Sequence, residues 1–112
     1  MKKYNFFKNS KYAFEGVIEL LKEKAFLIEI SFIIPLFIAL FFLDLTPIQK
    51  SLMGGSLFII LIAEALNTAI ETSVDLVTKD FNILAKRAKD CASAGVLFSI
   101  TLAIFIWIVN LI

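Results

Sequence analysis

Apolar residues run along the chain in three long stretches that are separated by short polar segments. Residues 25–43 form the first stretch, with Glu29 as its only charge. Residues 48–79 are mainly apolar at the start and acidic toward the end. Residues 85–111 begin with mainly basic side chains and are uncharged from residue 91 onward. A bilayer core of ~30 Å needs about 20 apolar residues in a helix. The pattern therefore predicts an all-α integral membrane protein with three transmembrane helices at these positions.

The segment before the first stretch has a different pattern. Between residues 4 and 22, lysines alternate with apolar side chains that recur near helical spacing, among them Phe7, Phe14 and Ile18. Such a pattern is typical of an amphipathic helix that lies on a membrane surface. The segment lacks the uninterrupted apolar centre of a secretory signal. With no repeat or linker along the chain, we expect one membrane domain over residues 1–112.

The cations predict the orientation of the spans. Six lysines precede the first span and four basic residues lie between the second and third. By the positive-inside rule, the N-terminus and the 79–90 connection face the cytoplasm. A helix over 48–79 would be roughly 48 Å long and would project from the bilayer at its acidic end. Pro47 is expected just inside the start of that helix, and Pro35 interrupts the first span.

Composition limits the chemistry. Hydrophobic residues make up 60% of the 112 residues, and the mean hydropathy is +0.90, which is more apolar surface than a small soluble core can hide. Histidine is absent and Cys91 is the only cysteine, so histidine bases, disulfides within the chain and cysteine metal cages are excluded. A net charge of +1 gives no reason to expect a nucleic-acid partner. The remaining chemistry must use carboxylates, lysines, hydroxyls and amides.

A polar stripe on the second helix is the main candidate site. On a helix surface Asn67, Glu71 and Asp75 lie within roughly 60° of Glu64, and the stripe extends over about 16 Å. Ionisable side chains at membrane depth are costly and are candidates for function. For Asp75 an ordinary helix ion pair with Lys79 is the alternative.

A second polar cluster lies near the cytoplasmic end of the third span. Lys89, Asp90 and Ser93 belong to it, whereas Lys86 and Arg87 are typical of a basic belt at the interface. Carboxylates such as Glu23 and Glu71 can bind a hard divalent cation, and a lysine can bind phosphate. Together these groups predict phosphoryl transfer. The Gly54-Gly55 pair lacks the rest of a phosphate-binding loop and is better explained by close helix packing.

These residues also resemble a known family, the small prokaryotic diacylglycerol kinases, with undecaprenol kinases as a related branch. The likeness rests on EALNTAIETSVDLVTKDFNILAKRAKDCASAGVL at residues 64–97 and on KEKAFLIE at 22–29. It extends over nearly the whole chain in order and spacing. The resemblance implies ATP-dependent phosphorylation of membrane diacylglycerol to phosphatidic acid in phospholipid recycling, in a bacterial inner membrane.

The resemblance also implies roles for individual residues. Glu64 corresponds to a general base for the lipid hydroxyl, Glu23 and Glu71 to ligands of Mg²⁺ with ATP, and Lys89 to a phosphate contact. The other positions implied for the nucleotide are Tyr12, Asp80, Phe81, Asn82 and Asp90. Those implied for the lipid are Glu29, Glu64, Asn67, Ser93 and Trp107. Asn5 falls where the family has an arginine, and Lys3 or Lys8 can substitute for it.

A homotrimer with composite sites is implied as well. We expect three helices of one chain to be too few to shield Glu64 and Glu71 from lipid, and the small residues 92–95 allow close helix contact. Two alternatives remain open. One is an undecaprenol kinase with the same chemistry, against which the second carboxylate at Glu29 argues. The other is a transporter or channel subunit whose carboxylates bind ions, which would consume no ATP.

Overall fold

The computed structural model describes residues 5–112, and within this range the secondary structure is entirely α-helical. The helices are α1 (Phe6–Leu20), α2 (Lys24–Ala39), α3 (Pro47–Val77) and α4 (Ile83–Leu111). The predicted all-α class is therefore confirmed for the described residues. The expected start of the surface helix at residue 4 and the suggested role of Lys3 fall outside them.

Helix α1 begins at a side-chain cap. The Asn5 carboxamide oxygen accepts a hydrogen bond from the backbone N–H of Lys8 at 3.1 Å, which satisfies one of the free amides of the first turn. Asn5, which falls where the resembled family has an arginine, thus caps helix α1. None of the residues of α1 is buried, and Phe7 and Phe14 are exposed. A membrane surface would cover these rings, and that location of α1 stays a prediction.

Helix α2 ends at Ala39, four residues before the end of the apolar span predicted over about 25–43. Beyond this point the chain tightens: the backbone N–H of Phe41 bonds to the carbonyl of Ile38, and that of Phe42 to the carbonyl of Ala39, both at 3.0 Å. Bonds between residues three apart are those of a 3₁₀ turn, which leads into the loop before α3. The helix keeps Pro35 in its interior. Its 16 residues cover about 24 Å, and the apolar tail extends it.

Helix α3 begins where the proline predicted it. The Thr46 hydroxyl accepts from the backbone N–H of Gln49, the Gln49 side chain accepts from the backbone N–H of Thr46, and Pro47 occupies the first helical position. This reciprocal capping box satisfies two amides that the helix itself leaves free. The structure's longest dimension is 49 Å, close to the ~46 Å expected for the 31 residues of α3.

Helices α3 and α4 pack extensively against each other, and α2 packs mainly against α3. Ile33 of α2, Leu57 and Ile60 of α3 and Ala103 of α4 form the buried core. Helices α3 and α4 are both long and apolar enough to cross a membrane, whereas α2 is shorter. Only 17% of the most apolar part of α4 is buried within the chain, so most of its apolar surface needs lipid or another subunit to cover it.

The two adjacent glycines of α3 have different surroundings. A Cβ atom on Gly54 would lie 3.4 Å from side-chain carbons of Leu40 and Phe37, whereas one on Gly55 would meet nothing within 4 Å. The packing explanation for this pair thus holds within the chain for Gly54, which lets α2 and its tail approach α3 closely.

We predict that Gly54→Leu lowers the free energy of unfolding by about 1–3 kcal/mol relative to Gly55→Leu, because the larger side chain overpacks the α2–α3 contact. Both substitutions make the same change in helix propensity, so Gly55→Leu is the matched control. Thermal unfolding in detergent micelles, followed by circular dichroism, measures the difference. Equal stability of the two variants would contradict the packing at Gly54.

Candidate functional site

Two carboxyl groups face each other inside the helix bundle. Glu64 of α3 is only 6% exposed, although it lies in an apolar helix. The carboxyl of Glu29, on α2, lies within hydrogen-bond reach of it. The expectation that one chain cannot shield Glu64 was wrong, because the chain itself buries this side chain, with Glu29 of α2 beside it. Burial of a carboxyl in such a place requires a polar partner, and Glu29 is that partner.

One helical turn farther along α3, an amide orients the next carboxylate. The Asn67 Nδ2 atom donates a hydrogen bond to Glu71 Oε1 at 3.1 Å, and Glu71 is half-buried. Two buried oxygens nearby, Asn67 Oδ1 and Glu29 Oε2, have no hydrogen-bond partner among the described residues. Both atoms can accept hydrogen bonds, so a ligand with a donor group such as an alcohol O–H would complete this site.

The last carboxylate of the stripe pairs with the lysine of α4. Lys89 Nζ donates to Asp75 Oδ1 at 2.7 Å, and the two side chains are 40% and 43% exposed. The alternative pairing of Asp75 with Lys79 is wrong. Helix α3 ends at Val77 and Thr78 is extended, so Lys79 does not lie on the next helical turn. The Asp75–Lys89 contact therefore joins the C-terminal end of α3 to the N-terminal part of α4.

A polar hollow of about 240 Å³ lies at the turn between α3 and α4. Its lining includes several residues that the resemblance implied for the nucleotide: Asp80, Phe81, Asn82, Lys89 and Asp90. Some of these side chains also have structural partners. The Asn82 carboxamide oxygen accepts from the backbone N–H groups of Leu84 and Ala85 and so caps α4, and Asp90 pairs with Lys86. The turn thus brings five candidate residues together, while their contact with nucleotide stays a prediction.

Other candidate residues remain apart from this cluster. Tyr12 on α1, Glu23 at the start of α2 and Ser93 on α4 are exposed, and the Glu23 side chain makes no capping bond. Among residues 5–112, no group of three or more acidic or cysteine side chains is arranged to hold a metal ion. A complete cation site in one chain is therefore not seen, and the pairing of Glu23 with Glu71 stays a prediction.

An apolar groove of about 500 Å³ runs between α2, α3 and α4, with Glu29 among its lining residues. Its remaining lining is apolar and includes Leu36, Ile104 and Trp107. The Trp107 indole N–H donates to the backbone carbonyl of Met53 at 3.1 Å, which fixes the ring against α3. A narrow apolar groove with a carboxyl at its wall suits an acyl chain that ends in a polar group.

Two contacts of this site could not be read from the sequence. The pairing of Glu29 with Glu64 and that of Asp75 with Lys89 both join different helices, and their formation depends on how the helices cross. The Asn67–Glu71 bond is different, because the spacing of four residues on one helix already brings an amide and a carboxylate together.

Known proteins resemble the chain over most of its length. The family profile of prokaryotic diacylglycerol kinases matches residues 11–111. The diacylglycerol kinase of Escherichia coli K12 is 39% identical over 69 residues, which cover 62% of this chain and 57% of that protein. That of Haemophilus influenzae is 32% identical over 100 residues, covering 88% of this chain and 85% of that protein. The first of these alignments thus spans little more than half of the curated relative.

We predict that Glu29→Gln stabilises the fold by about 1 kcal/mol, because an amide N–H can donate to Glu64 without the shared proton that two carboxyl groups need. Glu23→Gln is the control, since this exposed side chain makes no capping bond and the same substitution should leave stability unchanged. Unfolding in a graded series of SDS fractions measures both. A destabilised Glu29→Gln protein would contradict the facing carboxyl pair.

Proposed function

The chain belongs to the prokaryotic diacylglycerol kinase family, and from this premise we propose that it transfers the γ-phosphate of ATP to the hydroxyl of membrane diacylglycerol. The product would be phosphatidic acid, formed in recycling of phospholipid. The buried carboxyl of Glu64, paired with Glu29 beside an apolar groove, is the observation that carries this proposal. A carboxyl in this position is suited to accept a proton from the polar end of a lipid that arrives from the bilayer.

Glu64 is the proposed general base. It accepts the proton of the lipid hydroxyl while the hydroxyl oxygen forms a bond to the γ-phosphorus and the bond from that phosphorus to the bridging oxygen of ATP breaks. ADP leaves with that oxygen. The unpartnered acceptors Glu29 Oε2 and Asn67 Oδ1 are suited to orient the hydroxyl before the reaction. Transfer would depend mainly on this positioning and on neutralisation of charge.

The nucleotide is proposed to bind at the cytoplasmic ends of α3 and α4. Lys89 lines the polar hollow there, and its ammonium group can contact phosphate. Glu71 Oε1 accepts from Asn67, which leaves Oε2 for a cation, and Glu23 is the second proposed ligand. Carboxylate oxygens suit Mg²⁺, which would offset the charge of the β- and γ-phosphates when bound. The proposed contacts with ATP and its cation are the eight residues that the resemblance implies: Tyr12, Glu23, Glu71, Asp80, Phe81, Asn82, Lys89 and Asp90.

We also propose that the protein acts as a homotrimer in the bacterial inner membrane, with its N-terminus in the cytoplasm. In a single chain Glu23 is exposed, and a Cβ atom on Gly95 would meet nothing within 4 Å although its helix is apolar. Composite sites would bring side chains of a second subunit to these positions. The large apolar surface left on α4 supports such an assembly or a lipid covering.

We predict that Glu64→Gln and Glu71→Gln each lower lipid phosphorylation by at least about 100-fold, because the first removes the base and the second a cation ligand. Radiolabelled ATP and purified protein in mixed micelles, with diacylglycerol and undecaprenol compared, measure the activity. Labelled phosphatidic acid should be the dominant product.

Asp44→Asn is the control for these substitutions, because Asp44 is exposed in the turn at the other end of α3. Its activity should equal that of the unchanged protein. Turnover at the unchanged rate in Glu71→Gln would contradict its role as a cation ligand. Preferred labelling of undecaprenol would instead assign the chain to that branch, and absence of ATP consumption with either lipid would favour the transporter or channel alternative.

A further inference from the structure

The charges at the α3–α4 turn oppose the dipoles of both helices. Asp75 lies in the last turn of α3, where the carbonyl groups already carry partial negative charge, and no basic residue lies there. Lys86, Arg87 and Lys89 lie in the first two turns of α4, where the first turn has no acidic residue and the amides carry partial positive charge. The effect of a helix dipole is confined to the terminal turns, so the placements of Asp75 and Lys86 are the ones that are unfavourable by themselves. Violations of this kind are expected where function, rather than stability, selects the residue.

Asp75 and Glu71 lie one helical turn apart on the same face of α3. Residues at this spacing have Cβ atoms about 5–6 Å apart. The hydrogen bond from Lys89 to Asp75, at 2.7 Å, therefore keeps the ammonium group about one turn from the carboxylate proposed to bind the cation. A lysine has four flexible methylene groups, so without this bond its ammonium group can reach Glu71.

The neighbouring carboxylates leave few other partners for this lysine. Asp90 already pairs with Lys86, Asp80 lies in the turn that lines the same hollow, and the next acidic side chain along the stripe of α3 is Glu71. An ammonium group bound to Glu71 would occupy the oxygen ligands that a divalent cation needs. We propose that Asp75 is a positioning residue, which keeps Lys89 away from Glu71 and so leaves Glu71 available to the cation. This inference rests on the proposed function of Glu71.

The pair also suits the approach of nucleotide. Lys89 uses one of its three N–H donors on Asp75, and the other two remain for phosphate oxygens. Because both side chains are about two-fifths exposed, their attraction is screened by water and is modest. Asp75 can thus set the location of the ammonium group while phosphate binds, and the ion pair need not break.

Binding of Mn²⁺ to the detergent-solubilised full-length protein, measured by electron paramagnetic resonance, tests this inference without any kinase assay. Asp75→Asn should weaken Mn²⁺ binding about fivefold, because Lys89 then competes for Glu71. The double substitution Asp75→Asn with Lys89→Gln should restore the binding, and Asp75→Glu should keep it. Asp44→Asn makes the same chemical change in an exposed turn and is the matched control.

If Asp75 served only to stabilise the fold, the double variant Asp75→Asn with Lys89→Gln would bind Mn²⁺ no better than Asp75→Asn. That result would overturn the inference. Unchanged binding in Asp75→Asn would overturn it as well. Glu71→Gln must abolish Mn²⁺ binding. If this variant still binds Mn²⁺, both the inference and the cation role of Glu71 are overturned. If the predicted series appears in a protein that phosphorylates no lipid, the proposed function fails while the positioning role stands.

Discussion

A carboxylate in an apolar helix needs a polar partner, and the arrangement of this chain follows from how that requirement is met. Glu64, Glu71 and Asp75 lie at successive levels of α3, and each has a different partner: Glu29 from α2, Asn67 from α3 itself and Lys89 from α4. Two of these partnerships, Glu29–Glu64 and Lys89–Asp75, tie α2 and α4 to α3. The cost of burying acidic groups thus also determines which faces of the helices meet.

The partners change with depth along α3. At the innermost level Glu64 faces the carboxyl of Glu29 beside an apolar groove. At the middle level the Asn67 amide orients Glu71. At the outer level Asp75 pairs with the partly exposed Lys89. A lipid hydroxyl would meet the first level from the bilayer, and a phosphate would meet the last from water. A reaction between a membrane lipid and a water-soluble nucleotide requires such a gradient of polarity within one site.

The sequence was sufficient for features that depend on neighbours along the chain. The start of α3 at Pro47 and the common face of Asn67 and Glu71 follow from local chemistry and helix periodicity. It was insufficient where the outcome depends on how the helices pack or on the change from α-helical to 3₁₀ hydrogen bonds at a helix end. The end of α2 at Ala39, the shielding of Glu64 by α2 and the pairing of Asp75 with Lys89 are of this kind. Each depends on atoms that are distant in sequence or on competition between two hydrogen-bond patterns.

Trp107 gives the molecule an optical property of its own. It is the single tryptophan of the chain, it lines the apolar groove, and its N–H is bonded to the carbonyl of Met53. Indole emission depends on the polarity around the ring and on heavy atoms close to it. The fluorescence of the unlabelled protein therefore reports directly on what fills the groove, and a brominated acyl chain there would quench it.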